Sequence, residues 1–126
     1  MAKPEIIQVA NLPPANPSYS QATRVGNVVY VAGQIGIDGS KQLVSSDVAA
    51  QTRQALENMR AILETAGSSL DRVAKTTIYM VDMNDWGAMN EVYMSYFREN
   101  PPAKTTVEVS RLALGALVEI EAIAAI

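Results

Sequence analysis

The sequence predicts a one-domain α/β protein: a mixed β-sheet with two helices packed on one of its faces. Three observations predict it. The chain has 126 residues, a length that usually forms one domain and buries roughly two thirds of the unfolded surface. Short β-rich runs alternate with two amphipathic helical stretches, and no linker or internal repeat separates them. Two strand-helix-strand units require part of the sheet to be parallel and place the intervening helices together.

Residues 1–18, punctuated by Pro4, Pro13, Pro14 and Pro17, read as a short strand followed by an extended loop. Ser20–Val25 and Val28–Gly33 flank Gly26-Asn27, a hairpin signal. Residues 36–45 are turn-rich, with Gly36, Asp38-Gly39 and Ser45. A helix starts near Asp47, with Ser46 or Asp47 as N-cap. Its apolar stripe runs through Val48, Thr52, Ala55, Met59, Ile62 and Ala66, is widened by Leu56 and Leu63, and ends at Gly67. Val73–Val81 is a strand. Asn84 or Asp85 caps a second helix, on which Trp86, Met89, Tyr93, Tyr96 and Phe97 share a face, and Asn100-Pro101-Pro102 ends it. Thr105–Val109 and Leu117–Ala124, joined through Gly115, complete the order β, β-hairpin, α, β, α, β, β. With both helices on one face, the other face is left uncovered. Residues such as Ile78, Val107, Val109 and Ile120 are expected there, and a homo-oligomer is expected to bury them.

Composition narrows the chemistry. There is no cysteine and no histidine, so disulfides, thiol nucleophiles, thiolate zinc sites and the usual near-neutral proton shuttle are all excluded. Proton transfer falls to carboxylates, lysine, tyrosine or water. No metal-ligand cluster, phosphate loop or dinucleotide fingerprint appears, and no cofactor is expected. A net charge of −3 without a basic run argues against nucleic acid as partner. No run of eighteen apolar residues crosses a membrane, and the N-terminus lacks a signal-peptide core, so a cytoplasmic location is expected.

The last strand holds the strongest anomaly. Alternation puts Glu119 and Glu121 on one face, with Leu117 and Ile123 beside them. Carboxylates among aliphatic side chains are costly to desolvate unless paired. Lys104 and Arg111 are candidate partners, Glu108 a competing acid, and a Glu121–Arg111 pair would merely fix register. A half-buried glutamate facing a cleft would instead have a raised pKa and be suited to deprotonating water. Lys104 opens a strand and points either to solvent or into a pocket mouth. Asn90 is a solvent-facing helix residue or a site residue. Tyr19 is a ligand-stacking ring or loop packing, and Gly33 relieves sterics or lets backbone approach a ligand.

Taken together, Tyr19-Ser20-Gln21-Ala22, VYVAGQIG (29–36), DVAAQTRQALENMRAILETAGSSL (47–70), VAKTTIYMVDMNDW (73–86), MNEVYMSYF (89–97) and PPAKTTVEVSRL…LVEIEAIA (101–125) resemble the Rid (YjgF-type) family of reactive-intermediate enamine/imine deaminases. The resemblance implies a chorismate-mutase-like fold and a homotrimer whose sheets enclose a central barrel, with sites between subunits. It implies a hydrolase that converts small 2-imino or 2-enamino acids, such as 2-aminoacrylate or 2-iminobutyrate, to 2-keto acids and ammonia. Residue by residue, Glu119 matches the catalytic glutamate that holds water. Lys104, Tyr19, Asn90, Gly33 and Thr106 match the positions that bind substrate. Two positions depart from the family pattern: Ala32 replaces a serine, and Lys104 replaces the arginine that grips the substrate carboxylate. Lysine keeps the charge but loses the two-pronged donor geometry. The same resemblance accommodates a pathway-specific deaminase of the 2-aminomuconate type, or a non-catalytic small-molecule-binding or protein-stabilising trimer. An endoribonuclease role has been proposed for family relatives, and the acidic balance opposes it here.

Overall fold

The computed structural model describes residues 3–12 and 17–126; residues 13–16, within the expected proline-rich loop, lie outside them. The elements follow in the expected order: β1 (Glu5–Ile7), β2 (Ala22–Val25), β3 (Val28–Ile35), α1 (Val48–Thr65), β4 (Val73–Met80), α2 (Trp86–Tyr96), β5 (Ala103–Glu108) and β6 (Val118–Ala125). They form a mixed α+β domain whose sheet runs β1-β2-β3-β6-β4-β5. Only β4 and β5 pair in parallel; β6 inserts between β3 and β4, antiparallel to both. The last strand of the chain is therefore the centre of the sheet.

Local chemistry sets the boundaries. The Asp47 carboxylate accepts from the Ala50 N–H at 3.0 Å and caps α1. At the other end Gly67 takes φ +85°. Its N–H donates to the Glu64 carbonyl at 3.1 Å, and the Ser68 N–H reaches back to the Leu63 carbonyl at 2.8 Å, a glycine-terminated cap. The Ser68 hydroxyl then donates to the Ala125 carbonyl at 2.5 Å, pinning the end of α1 to the end of β6. Gly26, at φ +59°, makes the two-residue β2–β3 turn.

Both helices lie on one sheet face. Leu56, Met59, Ile62 and Leu63 of α1 and Met89 of α2 are fully enclosed against Val29, Ile78, Met80, Val118 and Ile120. Each such side chain stabilises the fold by about 1.5–3 kcal/mol. Ile78 and Ile120, expected on the uncovered face, are therefore core residues: they register side by side across β4 and β6, beneath the helices. Hydrophobicity marks a strand residue for burial but does not say which face the helices cover. Val107 does lie on the uncovered face, paired with Tyr79 and exposed. Val109 falls just past β5, where its N–H donates to the Met80 carbonyl at 2.7 Å.

A buried amide ties α1 to the loop before it and to the approach into the central strand. Gln51 donates to the Ser45 carbonyl at 2.8 Å and accepts from the Leu117 N–H at 2.8 Å, joining α1 to the approach into β6. This close approach depends on Gly36, where an added Cβ would stand 2.5 Å from Gln51 Cα. Backbone cannot swing aside as a side chain can, so Gly36→Ala is expected to destabilise the protein by about 1–3 kcal/mol. A denaturant midpoint unchanged from wild type would contradict that packing.

Candidate active site

Glu119 sits at the heart of the sheet because β6 does. Alternation along β6 buries Val118, Ile120 and Ala122 under the helices and turns Glu119 and Glu121 to the uncovered face, both half-buried. Opposite them, β3 departs from regular pairing. Val31 pairs with Ala122 and Gln34 with Ile120, so Ala32 and Gly33 together face Glu121 alone. This β-bulge places the Gly33 Cα beside the Glu119 carboxylate. A Cβ on Gly33 would stand 2.0 Å from Glu119 Oε1 and 2.7 Å from its Cδ. The absent side chain is the space the carboxylate occupies.

Burial first, and the neighbouring Glu121 charge second, raise the pKa of Glu119 above the ordinary glutamate value. Glu121 is differently placed. Its Oε1 accepts from the Tyr79 hydroxyl at 2.5 Å, a cross-strand partner in place of the Arg111 or Lys104 that the sequence offered as candidates. Among the described residues the only ion pair is Arg60–Glu57. Tyr79 is the better-placed partner because β4 neighbours β6, and its tyrosine faces the same side two registers along. That bond, then burial, holds the Tyr79 proton above the usual phenol range. One carboxylate is thus engaged within the sheet, while Glu119 has its proton affinity raised and, among the described residues, no hydrogen bond or ion pair constraining it. Glu108, the third acid considered, accepts from the Met83 N–H at 2.9 Å.

Lys104 faces the other way. It pairs with Thr76, a buried residue on the helix side, whose hydroxyl lies 2.7 Å from the Tyr93 hydroxyl. From the outermost strand the lysine reaches α2, where its Nζ donates to Asn90 Oδ1 at 2.6 Å. The same ammonium stands 4.6 Å from the centroid of the Tyr93 ring and 5.4 Å from that of Trp86, within cation–π range. Burial lowers its pKa below the ordinary lysine value. An ammonium has three donors; Asn90 takes one and the rings flank the head, so its approach to a ligand is fixed rather than free. A cleft of about 510 Å³ opens beside it between α2 and the start of β5.

The structure thus forms two pairs from the expected residues, Glu119 with Gly33 and Lys104 with Asn90, and keeps them on opposite faces of the sheet. Thr106 follows Lys104 on the helix side, paired with Ile78 and half-buried. Tyr19 is 54% exposed, before β2, and no described contact joins it to either pair. Trp86, Tyr93 and Tyr79 escaped a functional reading from sequence. The first two share a helix face with Asn90 at spacings of four and three residues, which is a legible signal; Tyr79 needed the strand register. No group of three or more metal-capable side chains occurs among the described residues, and no helix among them is long and apolar enough to cross a membrane.

Comparison with known proteins agrees with this architecture. The family model described as Endoribonuclease L-PSP matches residues 9–126. The chain is 53% identical over 121 residues to a RutC family protein of Pyrococcus horikoshii, covering 95% of this chain and 96% of that one. It is 45% identical over 120 residues to a human protein named 2-iminobutanoate/2-iminopropanoate deaminase, covering 94% and 88% of the two chains. A crystal structure of a Rid family protein of unknown function from Yersinia pestis superposes with a TM-score of 0.94 at 42% identity, over 98% of this chain and 100% of that one. With the family match spanning all six strands but the first, both helices, Glu119 and Lys104, this chain belongs to the Endoribonuclease L-PSP family, the family of the Rid (YjgF-type) proteins.

Proposed function

We propose that this protein hydrolyses reactive 2-imino and 2-enamino acids, such as 2-aminoacrylate and 2-iminobutyrate, to 2-keto acids and ammonia, at sites completed between subunits of a homotrimer. The observation that carries the reading is the half-buried Glu119 carboxylate set against Gly33, with a raised pKa and no partner holding it among the described residues. The human relative's name, 2-iminobutanoate/2-iminopropanoate deaminase, supports the same chemistry.

In this mechanism the ammonium of Lys104 anchors the substrate carboxylate. Glu119 orients a water against the imine carbon and takes a proton from it as the C–O bond forms. The proton passes to nitrogen to give a carbinolamine; Glu119 then takes the proton of its hydroxyl and returns it to nitrogen, so that the C–N bond breaks and ammonia leaves as the C=O bond forms. Imine hydrolysis needs no electron transfer, so carboxylate, ammonium and water suffice. Because Glu119 and Lys104 occupy opposite faces of one sheet, they meet a single small substrate only if a second copy supplies one of them. The exposed Ile6, Tyr30, Val107 and Ile123 on the uncovered face favour such an assembly. Tyr19 and Thr106 complete the pocket in this reading.

The test is turnover of enzymatically generated 2-aminoacrylate or 2-iminobutyrate by wild type, Lys104→Ala and Lys104→Arg. Losing one charge-assisted bond lowers kcat/KM in Lys104→Ala by roughly 10–100-fold. Lys104→Arg keeps the charge, suits the same aromatic faces and restores two-pronged binding, so its kcat/KM equals or exceeds that of wild type. Keto-acid formation no faster than the uncatalysed rate with wild type would sink the proposal. Bound keto acid without turnover would point instead to a ligand-binding trimer.

A further inference from the structure

The cleft beside Lys104 holds a second cation. Its lining includes Met94 and Phe97 at the α2 end, Pro101 and Pro102, and both Lys104 and Arg98. No carboxylate lines it. Among the described residues neither Arg98 nor Lys104 forms an ion pair. Arg98 also borders a smaller depression lined by Asp71 and Glu99, and it is bridged to neither of them.

We infer that Arg98 is a specificity-determining residue of this cleft, and that the cleft selects 2-imino and 2-oxo acids whose side chain ends in a second anionic group. The inference rests on the proposed role of Lys104 as carboxylate anchor, and it extends that reading to the far end of the ligand. The reasoning follows from what each part of the cleft can satisfy. A small apolar 2-imino acid held at Lys104 engages only the ammonium and the adjoining walls. A longer acid with an apolar tail lays methylenes against Met94, Phe97 and the prolines but brings its end toward an unpaired guanidinium, which it strips of water without replacing the lost hydrogen bonds. An acid ending in a second carboxylate uses the apolar walls for its methylenes and gives Arg98 a two-pronged partner. The acids so defined are the imines of acidic amino acids and their longer homologues.

Binding of stable 2-oxo acids reads this directly, without turnover. Isothermal titration of wild type compares 2-oxoglutarate with 2-oxopentanoate, and 2-oxoadipate with 2-oxohexanoate, so that each pair shares a chain length. At least one dicarboxylate is expected to bind about fivefold more tightly than its monocarboxylate partner at low salt, a factor suited to a partly exposed charge pair. Arg98→Gln is expected to abolish that preference, chiefly by weakening dicarboxylate binding, and Arg98→Lys to restore part of it. Equal binding within both pairs, or a preference that survives in Arg98→Gln, overturns the inference. Lys104→Ala distinguishes the two readings: if it weakens monocarboxylate binding while wild type shows no dicarboxylate preference, the anchor stands and the role of Arg98 falls. If Lys104→Ala leaves both ligand classes bound as tightly as in wild type, the anchor itself is wrong and the inference falls with it.

Discussion

Glu119→Gln is expected to lower kcat for imine hydrolysis by about 10²–10⁴-fold, the usual contribution of a positioned general base, while making the isolated fold more stable at neutral pH. The two effects share one cause. Burial and Glu121 penalise the ionised form of Glu119 in the folded chain, so its folded pKa lies above its unfolded one. Below the unfolded value, near 4.3, the carboxyl is protonated in both states and contributes no difference. As pH rises from there through the folded value, the unfolded chain ionises more readily, and wild type loses stability relative to the glutamine variant. Above the folded value that loss is complete. Denaturation midpoints of the two proteins should therefore converge at acid pH and separate toward neutrality, with glutamine the more stable. The rate should show the opposite dependence. Activity of wild type falls on acidification with a midpoint above the ordinary glutamate pKa, and that limb is absent from whatever activity Glu119→Gln retains. A glutamine variant with wild-type kcat would remove Glu119 from the chemistry.

Gly33→Ala should impair catalysis nearly as severely, through one methyl group. The new Cβ claims the position now held by Glu119 Oε1, 2.0 Å away. Oε1 ends a flexible side chain, so the carboxylate moves and the strand does not. Displacements of about 1 Å in a catalytic group cost roughly 10²-fold in rate, and that is the expected fall in kcat. The folded state should persist, with a thermal midpoint close to that of wild type. This separates Gly33→Ala from Gly36→Ala, where the obstacle is the backbone of α1 and stability is the property that falls. Restoration of activity in Gly33→Ala by the shorter Glu119→Asp would tie the loss to the carboxylate's space. A Gly33→Ala protein that is fully active would show that the carboxylate does not work from the position seen here.

Much of the fold was legible because its signals are local. Asp47 and Gly67 bracket α1 by cap chemistry and Gly26-Asn27 forces the β2–β3 turn, each acting over a few residues of chain; α2 ends at Tyr96, ahead of the Asn100-Pro101-Pro102 stop that the sequence offered. Alternation likewise put Glu119 and Glu121 on one face of β6 without reference to any other strand. The resemblance to the Rid family then singled out Glu119, Lys104, Asn90 and Gly33 as positions to watch, and it rested on motifs spread through nearly the whole sequence.

What the chain's own sequence determined is thus the element order, the caps, the placing of Glu119 with Glu121 on one strand face, and the lysine at position 104. What the tertiary structure alone decided is which faces and which neighbours those residues meet. Ile78 and Ile120 went to the core because the helices settled on their side of the sheet. Tyr79 took Glu121 because β6 returned to the centre beside β4, a pairing forty-two residues apart in the chain. The bulge at Ala32 and Gly33 brought a strand to the Glu119 carboxylate, and α2 folded Asn90, Tyr93 and Trp86 around Lys104. Each of these is a long-range contact fixed by strand order and packing, and periodicity along one segment carries no information about the segment that will lie against it.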